Sequence, residues 1–534
     1  MKRWNGWGDH ATHPPVPDAA RTFLHQLLGP GHPPRDATLH EVTARVPASR
    51  LPEHPLVQRD ADTRVRYARG QSLPDLIALR SGEGLVFPDG VAHPERPEDV
   101  QTLLQYAHTH AATVVPYGGG TSVAGHVNPA AGARPVLTIS LERLSALLTL
   151  DEASRLATFG AGVRGPDLEA ALRAQGYTLG HFPQSFEYST LGGWVATRSS
   201  GQQSLRYGRI EAMFAGGTLI TPRGPLTLPP YPASAAGPDL RQLVLGSEGR
   251  LGILTDVTVR VHPLPDTERF EAAFFPDWAS AHDATRALAQ SGAPLSMLRL
   301  STPTETHTTL TLAGHPRATR ALETYLATRG VRSDKCLLLY GLTGPRDTVQ
   351  HAAHTAARVI AAHQGVRVYT PLGRAWHKGR FAAPYLRNSL WDAGYAVDTL
   401  ETATTWDRVD RTLNAVEHAL RRGLDAYGER VHAYTHLSHV YPSGCSIYTT
   451  YVFRLAEDAA ATLRRWSALK GAASEALVRE GATISHQHGV GRDHAPYLPA
   501  EKGALGMSAL HALTRTFDPD GLMNPGVLLE GDHA

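Results

Sequence analysis

Three consecutive glycines, Gly118, Gly119 and Gly120, follow an apolar stretch and run directly into the hydroxyls of Thr121 and Ser122. A backbone without Cβ atoms that tolerates positive φ can wrap closely around a phosphate and offer it several N–H donors. Glycine clusters also build ordinary tight turns, so the loop alone leaves both readings open. Four other segments carry comparable chemistry. In 180–213, Gly192 and Gly193 permit close backbone approach, and Thr190, Thr197, Ser199 and Ser200 offer short donors and acceptors to a flat polar ring; the alternative is a serine-rich surface loop. LGSEGRLGILT, from Leu245, is a tight turn into a strand whose backbone could pair with an adenine or ribose, unless Glu248 merely caps the turn. ISHQHGVGRDHAPYL, from Ile484, sets the imidazoles of His486 and His488 on either side of Gln487, and FDPDGLMNPGVLL near the C-terminus fixes a sharp chain reversal. HLSHVY adds His436 and His439 at i, i+3 spacing. Two such histidines could bind a metal with a third ligand such as His488. No carboxylate accompanies them in the sequence, so they are read as lining an organic pocket and no metal is expected.

These residues need a scaffold. A helix is expected over roughly 97–110, followed by the strand that feeds the glycine loop. Strands are expected at VLTISL (from Val136), LATFGAGV (from Leu156) and LGILTDVTVRVHPL (from Leu251), with a helix in GPDLEAALRAQG from Gly165. This mixture implies an α+β nucleotide-binding domain ending near Pro265. Helices such as DWASAHDATRALAQSG and strands such as KCLLLYGL then build a second region to about Ile484. The first 85 or so residues, rich in Pro, His and Arg, read as short helices and loops lying on another domain.

Composition narrows the function. With 534 residues, 42% hydrophobic and 19% charged, the chain can bury more than one core. A net charge of +2 leaves no electrostatic footprint for nucleic acid. The two cysteines, Cys336 and Cys445, argue against a disulfide scaffold and fit a reducing cytoplasm. No run of about 18 apolar residues suggests a membrane span. MKRWNGWGDH lacks the apolar core of a secretory signal, and EGDHA carries no lipidation address.

Taken in order along the chain, the motifs resemble the vanillyl-alcohol-oxidase type of FAD-binding oxidoreductase with its PCMH-type FAD domain. They are WNGWGD, RYARGQSLPD, FPDGVAHPE, PYGGGTSV, GH-x-P-x-S-x-E-x-STLGGWV-x-TR-x-SG, GSEG-x-LGI-x-T, LETATTWDRV, GCSIY, SHQHGVG and FDP…NPG. Within that superfamily the likeness narrows to the alkyl-dihydroxyacetone-phosphate synthase family. The resemblance implies an N-terminal helical and loop region at 1–85, a PCMH-type FAD domain at 86–267, an α+β cap at 268–484 and a C-terminal segment at 485–534 that completes the site. It implies FAD, with Pro116, Tyr117, Gly118, Gly119, Gly120, Thr121 and Ser122 cradling the pyrophosphate. The Thr190–Leu191–Gly192–Gly193 turn would lie against the isoalloxazine and ribityl chain, Gln184 and Ser185 would also bind FAD, Thr197, Ser200 and Gly201 would follow along the cofactor, and Glu248 and Ile253 would meet the adenosine end. Two departures stand out: Gln184 occupies a position usually acidic in the family, and Gln487 replaces the middle of three successive histidines.

In that family the acyl chain of an acylated dihydroxyacetone phosphate is exchanged for a fatty alcohol at the flavin, without net redox change. A proton must leave the carbon beside the ketone, a carboxylate must depart, and a phosphate must be held, which calls for an acid/base group and an arginine. The motif positions implied are Tyr448, His488, His486 and His181 for protons and Arg387 and Arg299 for an anion. The bland readings are a packed strand tyrosine, ordinary histidines and a solvated helical arginine. Expected partners are a small anionic substrate with an alkyl or acyl tail, no nucleic acid, at most peripheral membrane contact, and a second copy in a homodimer. The alternatives are an FAD-dependent D-2-hydroxyacid dehydrogenase of the lactate or glycolate type, and a non-catalytic flavin-binding protein.

Overall fold

The computed structural model describes residues 2–312 and 315–530. Helix Pro97–Thr109 shows how local sequence builds the scaffold. Pro97 occupies a position with no helical N–H to lose, and the Asp99 carboxylate accepts the backbone N–H groups of Glu95 and Arg96 at 3.0 and 3.1 Å. Val100, Leu103, Leu104 and Ala107 recur at helical spacing and are all buried. The helix crosses between strands Gly90–Ala92 and Thr113–Tyr117, both of which run parallel to Val136–Ser140 and flank it. Val57–Gln58 completes this four-stranded sheet as an antiparallel edge. The N-terminal region, expected to supply only helices and loops, therefore contributes a strand too.

A second sheet of five antiparallel strands follows, in the order Leu147–Asp151, Leu156–Gly160, Ile253–Arg260, Phe214–Thr221 and Gly224–Leu228. One core joins both sheets, with Val114, Leu137, Ile139, Phe159, Trp194, Leu219 and Val257 in a single buried cluster. The chain then leaves to build a seven-stranded antiparallel sheet. Its order is Val366–Tyr369, Thr267–Phe275, Cys336–Gly344, Leu295–Ser301, His432–Tyr441, Gly444–Arg454 and Tyr395–Thr405. The architecture is α+β, as expected.

Two strands of this last sheet decide where the chemistry sits. In His432–Tyr441, Ala433, Thr435 and Leu437 are buried on one face while His432, Tyr434 and His436 are half-buried on the other. That alternation is the period-2 signature of a sheet with two different faces. Its hairpin partner Gly444–Arg454 places Tyr448 opposite His436, and strand Tyr395–Thr405 places Glu401 opposite Tyr448. Beyond Leu437 the register slips, so Val440 next pairs with Cys445, and the bulge turns His439 onto the same face as His436.

The end of the described chain returns to the first sheet. Val114 N–H donates to the Leu522 carbonyl at 2.7 Å, and Asn524 N–H donates to the Val114 carbonyl at 2.8 Å. Asn524 sits at φ 43°, and its side-chain amide donates to the carbonyls of His126 and Glu248, each at 2.9 Å. Among the described residues no helix is long and apolar enough to cross a membrane. Replacing Asn524 removes two buried hydrogen bonds, at about 1 kcal/mol each, and Ala adds a left-handed backbone penalty of about 1 kcal/mol that Gly avoids. Asn524→Ala should therefore lower the unfolding free energy more than Asn524→Gly does, reversing the usual order of the two residues, as denaturant titration would show.

Candidate active site

The glycine loop is pressed against the second motif. A Cβ on Gly119 would lie 1.7 Å from the Tyr188 carbonyl oxygen, and Gly120 has φ +69° with its would-be Cβ 2.1 Å from the Tyr117 hydroxyl. Glycine is thus required here by both space and backbone geometry, and the loop's free edge keeps its amides. Tyr117 is buried and its hydroxyl donates to the Arg69 carbonyl at 3.3 Å; Pro116 packs against Gly249. Thr121 and Ser122 are half-buried, and the Ser122 hydroxyl bonds His126 Nδ1 at 2.6 Å. Thr190 begins the short helix Leu191–Thr197 by accepting the Gly193 N–H at 3.4 Å, and the Thr197 hydroxyl donates to the Gly193 carbonyl at 2.9 Å. Gly192 abuts Ala161, whereas the Cβ position of Gly193 meets only Thr190.

Glu248 holds two loops together. It accepts Val490 N–H at 2.6 Å and Gly491 N–H at 2.7 Å and lies 3.1 Å from His126 Nε2. Ile253 is buried in its strand opposite Ile220. Gln184 donates to the Arg380 carbonyl at 2.7 Å and accepts from Gln202 at 3.3 Å, so both ends of its amide are engaged within the protein. The Ser185 carbonyl accepts the Tyr188 and Ser189 N–H groups, which closes the turn before Thr190. Gly201 leaves only 2.7 Å between a would-be Cβ and the Phe182 nitrogen.

A buried carboxylate organises the opposite wall. Glu401 accepts from His486 Nδ1 at 3.1 Å and from Gln487 Nε2 at 2.6 Å, with His439 Nε2 3.9 Å and His488 Nε2 3.8 Å away. His486 Nδ1 must donate to a carboxylate, so its Nε2 accepts the Tyr441 hydroxyl at 2.6 Å. Gln487 Nε2 is likewise a donor toward His439 Nε2 at 3.3 Å, which leaves His439 Nδ1–H to donate to Ser200 Oγ at 3.0 Å. The Gln487 carbonyl oxygen accepts the Ser200 N–H at 3.3 Å. Burial pushes the Glu401 carboxyl up, but the facing imidazoles, His486 first, outweigh it and hold the group below its ordinary 4.5. Burial drives the His439 imidazole down to about 3. The expectation that no carboxylate accompanies the histidines is corrected. Glu401 serves His439 and His486, their donor atoms all lying within 4.8 Å of one another, and Glu305 serves His436 at 3.0 Å.

Tyr448 stands at the open side of this network. Its ring stacks on His436 at 4.8 Å between centroids and meets the edge of His488 at 5.8 Å. Burial raises its phenol to about 12, so at neutral pH it is a proton donor. Burial lowers His488 below its ordinary 6.5, leaving it neutral and able to accept. Arg387 donates to the Gln71 carbonyl and lies 3.9 Å from Asp398, while its Nε and Nη2 are buried without a hydrogen-bond partner. Among the predicted residues, Tyr448, His486, His488 and Arg387 thus form one neighbourhood. Arg299 is one step away, bound to Glu305 at 2.6 Å and to His436 at 3.2 Å. His181 lies apart: it is buried beside Trp194, bonds Ser199 at 3.1 Å and is pushed down to about 3 by burial. Sequence reasoning passed over Glu401, Tyr441 and Glu305 as individual residues, although Glu401 lies in the LETATTWDRV motif and shares the alternation of its strand.

A loop that only glycine can line and short hydroxyls beside it fit a dinucleotide carrying an anionic middle and a polar ring. The comparisons agree. Residues 88–227 match the FAD binding domain family and residues 264–528 match the FAD linked oxidases, C-terminal domain family. Fold and site together define an FAD-dependent enzyme. The chain is 29% identical to alkyldihydroxyacetonephosphate synthase of Dictyostelium discoideum, over 99% of this chain and 93% of that protein. It is 30% identical to the synthase of Trypanosoma brucei brucei, over 89% and 78%, and 25% identical to a glycolate oxidase subunit of Bacillus subtilis, over 84% and 90%. A solved alkyldihydroxyacetonephosphate synthase structure superposes with TM-score 0.83 at 26% identity, covering 98% of both chains. p-Cresol methylhydroxylase shares the fold, with TM-score 0.64 at 14% identity, covering 95% and 96%. The chain belongs to the alkyldihydroxyacetonephosphate synthase family of FAD-linked enzymes.

The neutral state of His439 has a consequence for stability. Its pKa in the folded protein is depressed, so its contribution is complete above 6.5, where the unfolded chain is also neutral, and is lost as pH falls toward 3. Between pH 6.5 and about 5 that loss amounts to about 2 kcal/mol. Glu401 adds to the acid loss only below its ordinary 4.5. His439→Gln should therefore lose less stability than the wild type between those pH values, as denaturant titrations at each pH would show.

Proposed function

We propose that this FAD-dependent enzyme exchanges the acyl chain of an acylated dihydroxyacetone phosphate for a fatty alcohol, as its family resemblance suggests. The observation that carries this reading is the pairing of a protonated phenol, Tyr448, with a neutral imidazole, His488, beside an arginine that has unused donors. FAD, when bound, supplies a ring nitrogen able to exchange bonds or electrons with a substrate carbon. Arg387 binds the phosphate of the substrate, with Arg299 on the far side of His436 contributing positive charge held in check by Glu305. His488 accepts the proton from the carbon beside the ketone and returns it at the end, Tyr448 delivers a proton to the departing carboxylate, and the entering alcohol gives its hydroxyl proton back to Tyr448. Glu401 stabilises positive charge that develops on the surrounding imidazoles, His486 among them. His181 positions the Ser199–Ser200 segment.

The same proposal assigns the pyrophosphate to the loop from Pro116 to Ser122 and the flavin side to Thr190, Gly193, Thr197 and Ser200. Gln184, Ser185, Gly192, Gly201, Glu248 and Ile253 shape the walls. The division at residues 85, 267 and 484, a cytoplasmic location, a homodimer and the absence of a catalytic metal belong to it as well. Support for the last point is that both ring nitrogens of His439 and His486 already have hydrogen-bond partners within the protein.

Anaerobic incubation tests the reading. Exchange of a fatty alcohol for the acyl chain without lasting flavin bleaching is expected, and it should be indifferent to a chelator. Bleaching by a 2-hydroxyacid with no exchange would transfer the enzyme to the dehydrogenase class, a reading that the glycolate oxidase match favours. Tyr448→Phe should keep the flavin spectrum while exchange falls at least about 100-fold, the usual scale of a lost general acid; a variant with undiminished turnover would remove Tyr448 from proton transfer.

A further inference from the structure

The turn formed by residues 2–9 reaches four separate parts of the molecule. Lys2 and Asp9 form an isolated antiparallel bridge that closes the turn, with Arg3 N–H donating to the Gly8 carbonyl at 2.9 Å. At its middle, Trp7 is buried, meets Tyr188 edge-on at 5.4 Å and exchanges two hydrogen bonds with the Asn388 amide, at 3.2 and 2.8 Å. Gly6 and Gly8 allow this approach, since a Cβ on them would lie 2.4 Å from Asn388 and 2.3 Å from the Tyr385 ring. Arg80 ties the Asn5 carbonyl to the helix Leu73–Ser81 at 3.2 Å. At its tip, Lys2 Nζ donates to the Gly119 carbonyl at 2.8 Å. So the turn bridges the glycine loop, the segment before Thr190, the helix Leu73–Ser81 and the helix that carries Arg387.

The Lys2 amine is in an unusual position for a lysine. Water reaches its side chain, yet protein surrounds it closely enough that burial, with Arg164 nearby, lowers its pKa to about 8 against a smaller opposing effect from Glu142. Arg164 adds positive charge near it, and its backbone is bridged to Thr190. Lys2 thus sets a cation on the crest of a loop whose backbone can suit a phosphate, and the buried Trp7 indole N–H has no hydrogen-bond partner.

We propose that residues 2–9 form a latch over the bound cofactor, in which Lys2 exchanges the Gly119 carbonyl for a phosphate oxygen of the FAD diphosphate. The inference rests on the FAD site described above. Arg164 shares the same charge, and Trp7 with Asn388 anchors the latch to the helix that carries Arg387.

The test is flavin affinity measured by fluorescence quenching on the apoprotein, with FAD and with riboflavin, which has the ring but no phosphate. Lys2→Gln should weaken FAD binding about tenfold, the scale of one lost charge-assisted hydrogen bond. Riboflavin affinity should stay unchanged, Lys2→Arg should retain FAD to within about threefold, and the salt dependence of FAD binding should become shallower. Unchanged FAD affinity in Lys2→Gln would overturn the proposal. An equal loss for FAD and riboflavin would overturn it too, because Lys2 would then act on the shape of the site and not on the diphosphate. Failure of the wild-type apoprotein to bind FAD would instead strike at the cofactor assignment itself. The melting temperature of the Lys2→Gln apoprotein should match the wild type, since its side chain is exposed and only one surface hydrogen bond is lost.

Discussion

Glu401 places a formal negative charge in the interior, where its side chain is fully shielded from water and, among the described residues, its ion-pair partners are all imidazoles. An unpaired buried carboxylate would cost several kcal/mol, so the surrounding groups must turn their donors toward it. That single requirement fixes the tautomer of His486, the orientation of the Gln487 amide and, through Gln487, the tautomer of His439. His439 and Gln487 in turn hold Ser200 by its hydroxyl and its N–H. The seven-stranded sheet and the segment that carries Ser200 are thereby joined at the site by polar contacts.

Gln487 gains a meaning from this arrangement that its motif position did not convey. A neutral imidazole offers one donor and one acceptor on opposite sides of a ring, whereas a primary amide offers two donors on one atom and an acceptor on the other. Gln487 uses all of these: it donates to Glu401 and toward His439 and accepts from Ser200. The amide is therefore a fixed, non-titrating connector at a position where the family pattern has a titratable group. Gln184 follows a similar logic. Its neutral amide satisfies the Arg380 carbonyl and Gln202, while the Arg380 guanidinium lies over the Phe182 and Phe381 rings.

The scaffold was legible wherever one period dominated. Helix Pro97–Thr109 had a proline start and an uninterrupted apolar stripe, and Val136–Ser140 was a short β-branched run between turn residues. The glycine loop was legible for the same kind of reason, since three residues without Cβ atoms serve few purposes. Partnerships across long separations were not. Glu401 and His486 are 85 residues apart, and their meeting depends on a three-strand register and a bulge that no local pattern encodes. Val57–Gln58 was invisible because two residues have no periodicity, and their strand character comes wholly from the neighbour Gly90–Ala92. Glu248 illustrates a subtler limit. Its segment was recognisable, but its clamping of the Val490 and Gly491 amides appears only once the chain is folded.

Both ends of the described chain converge on the cofactor domain, and this has a mechanical meaning. The stretch around Asn524 extends the parallel sheet beside Val114, four residues before the first glycine, and the turn at residues 2–9 meets Gly119 itself. A glycine-rich loop has high intrinsic conformational entropy, which binding a ligand must suppress. Anchoring its base through Val114 and its crest through Gly119 removes part of that freedom before any ligand arrives. The triple glycine can then supply close approach without the looseness that three such residues would otherwise bring, while Glu248, bound to the 490–491 turn, ties the same region to the segment that carries His486 and His488. Cofactor placement and acid–base geometry are for this reason not independent properties of two domains. The contacts run from Ser122 through His126 and Glu248 to the 490–491 turn, and the segment that carries this turn reaches Glu401 through His486.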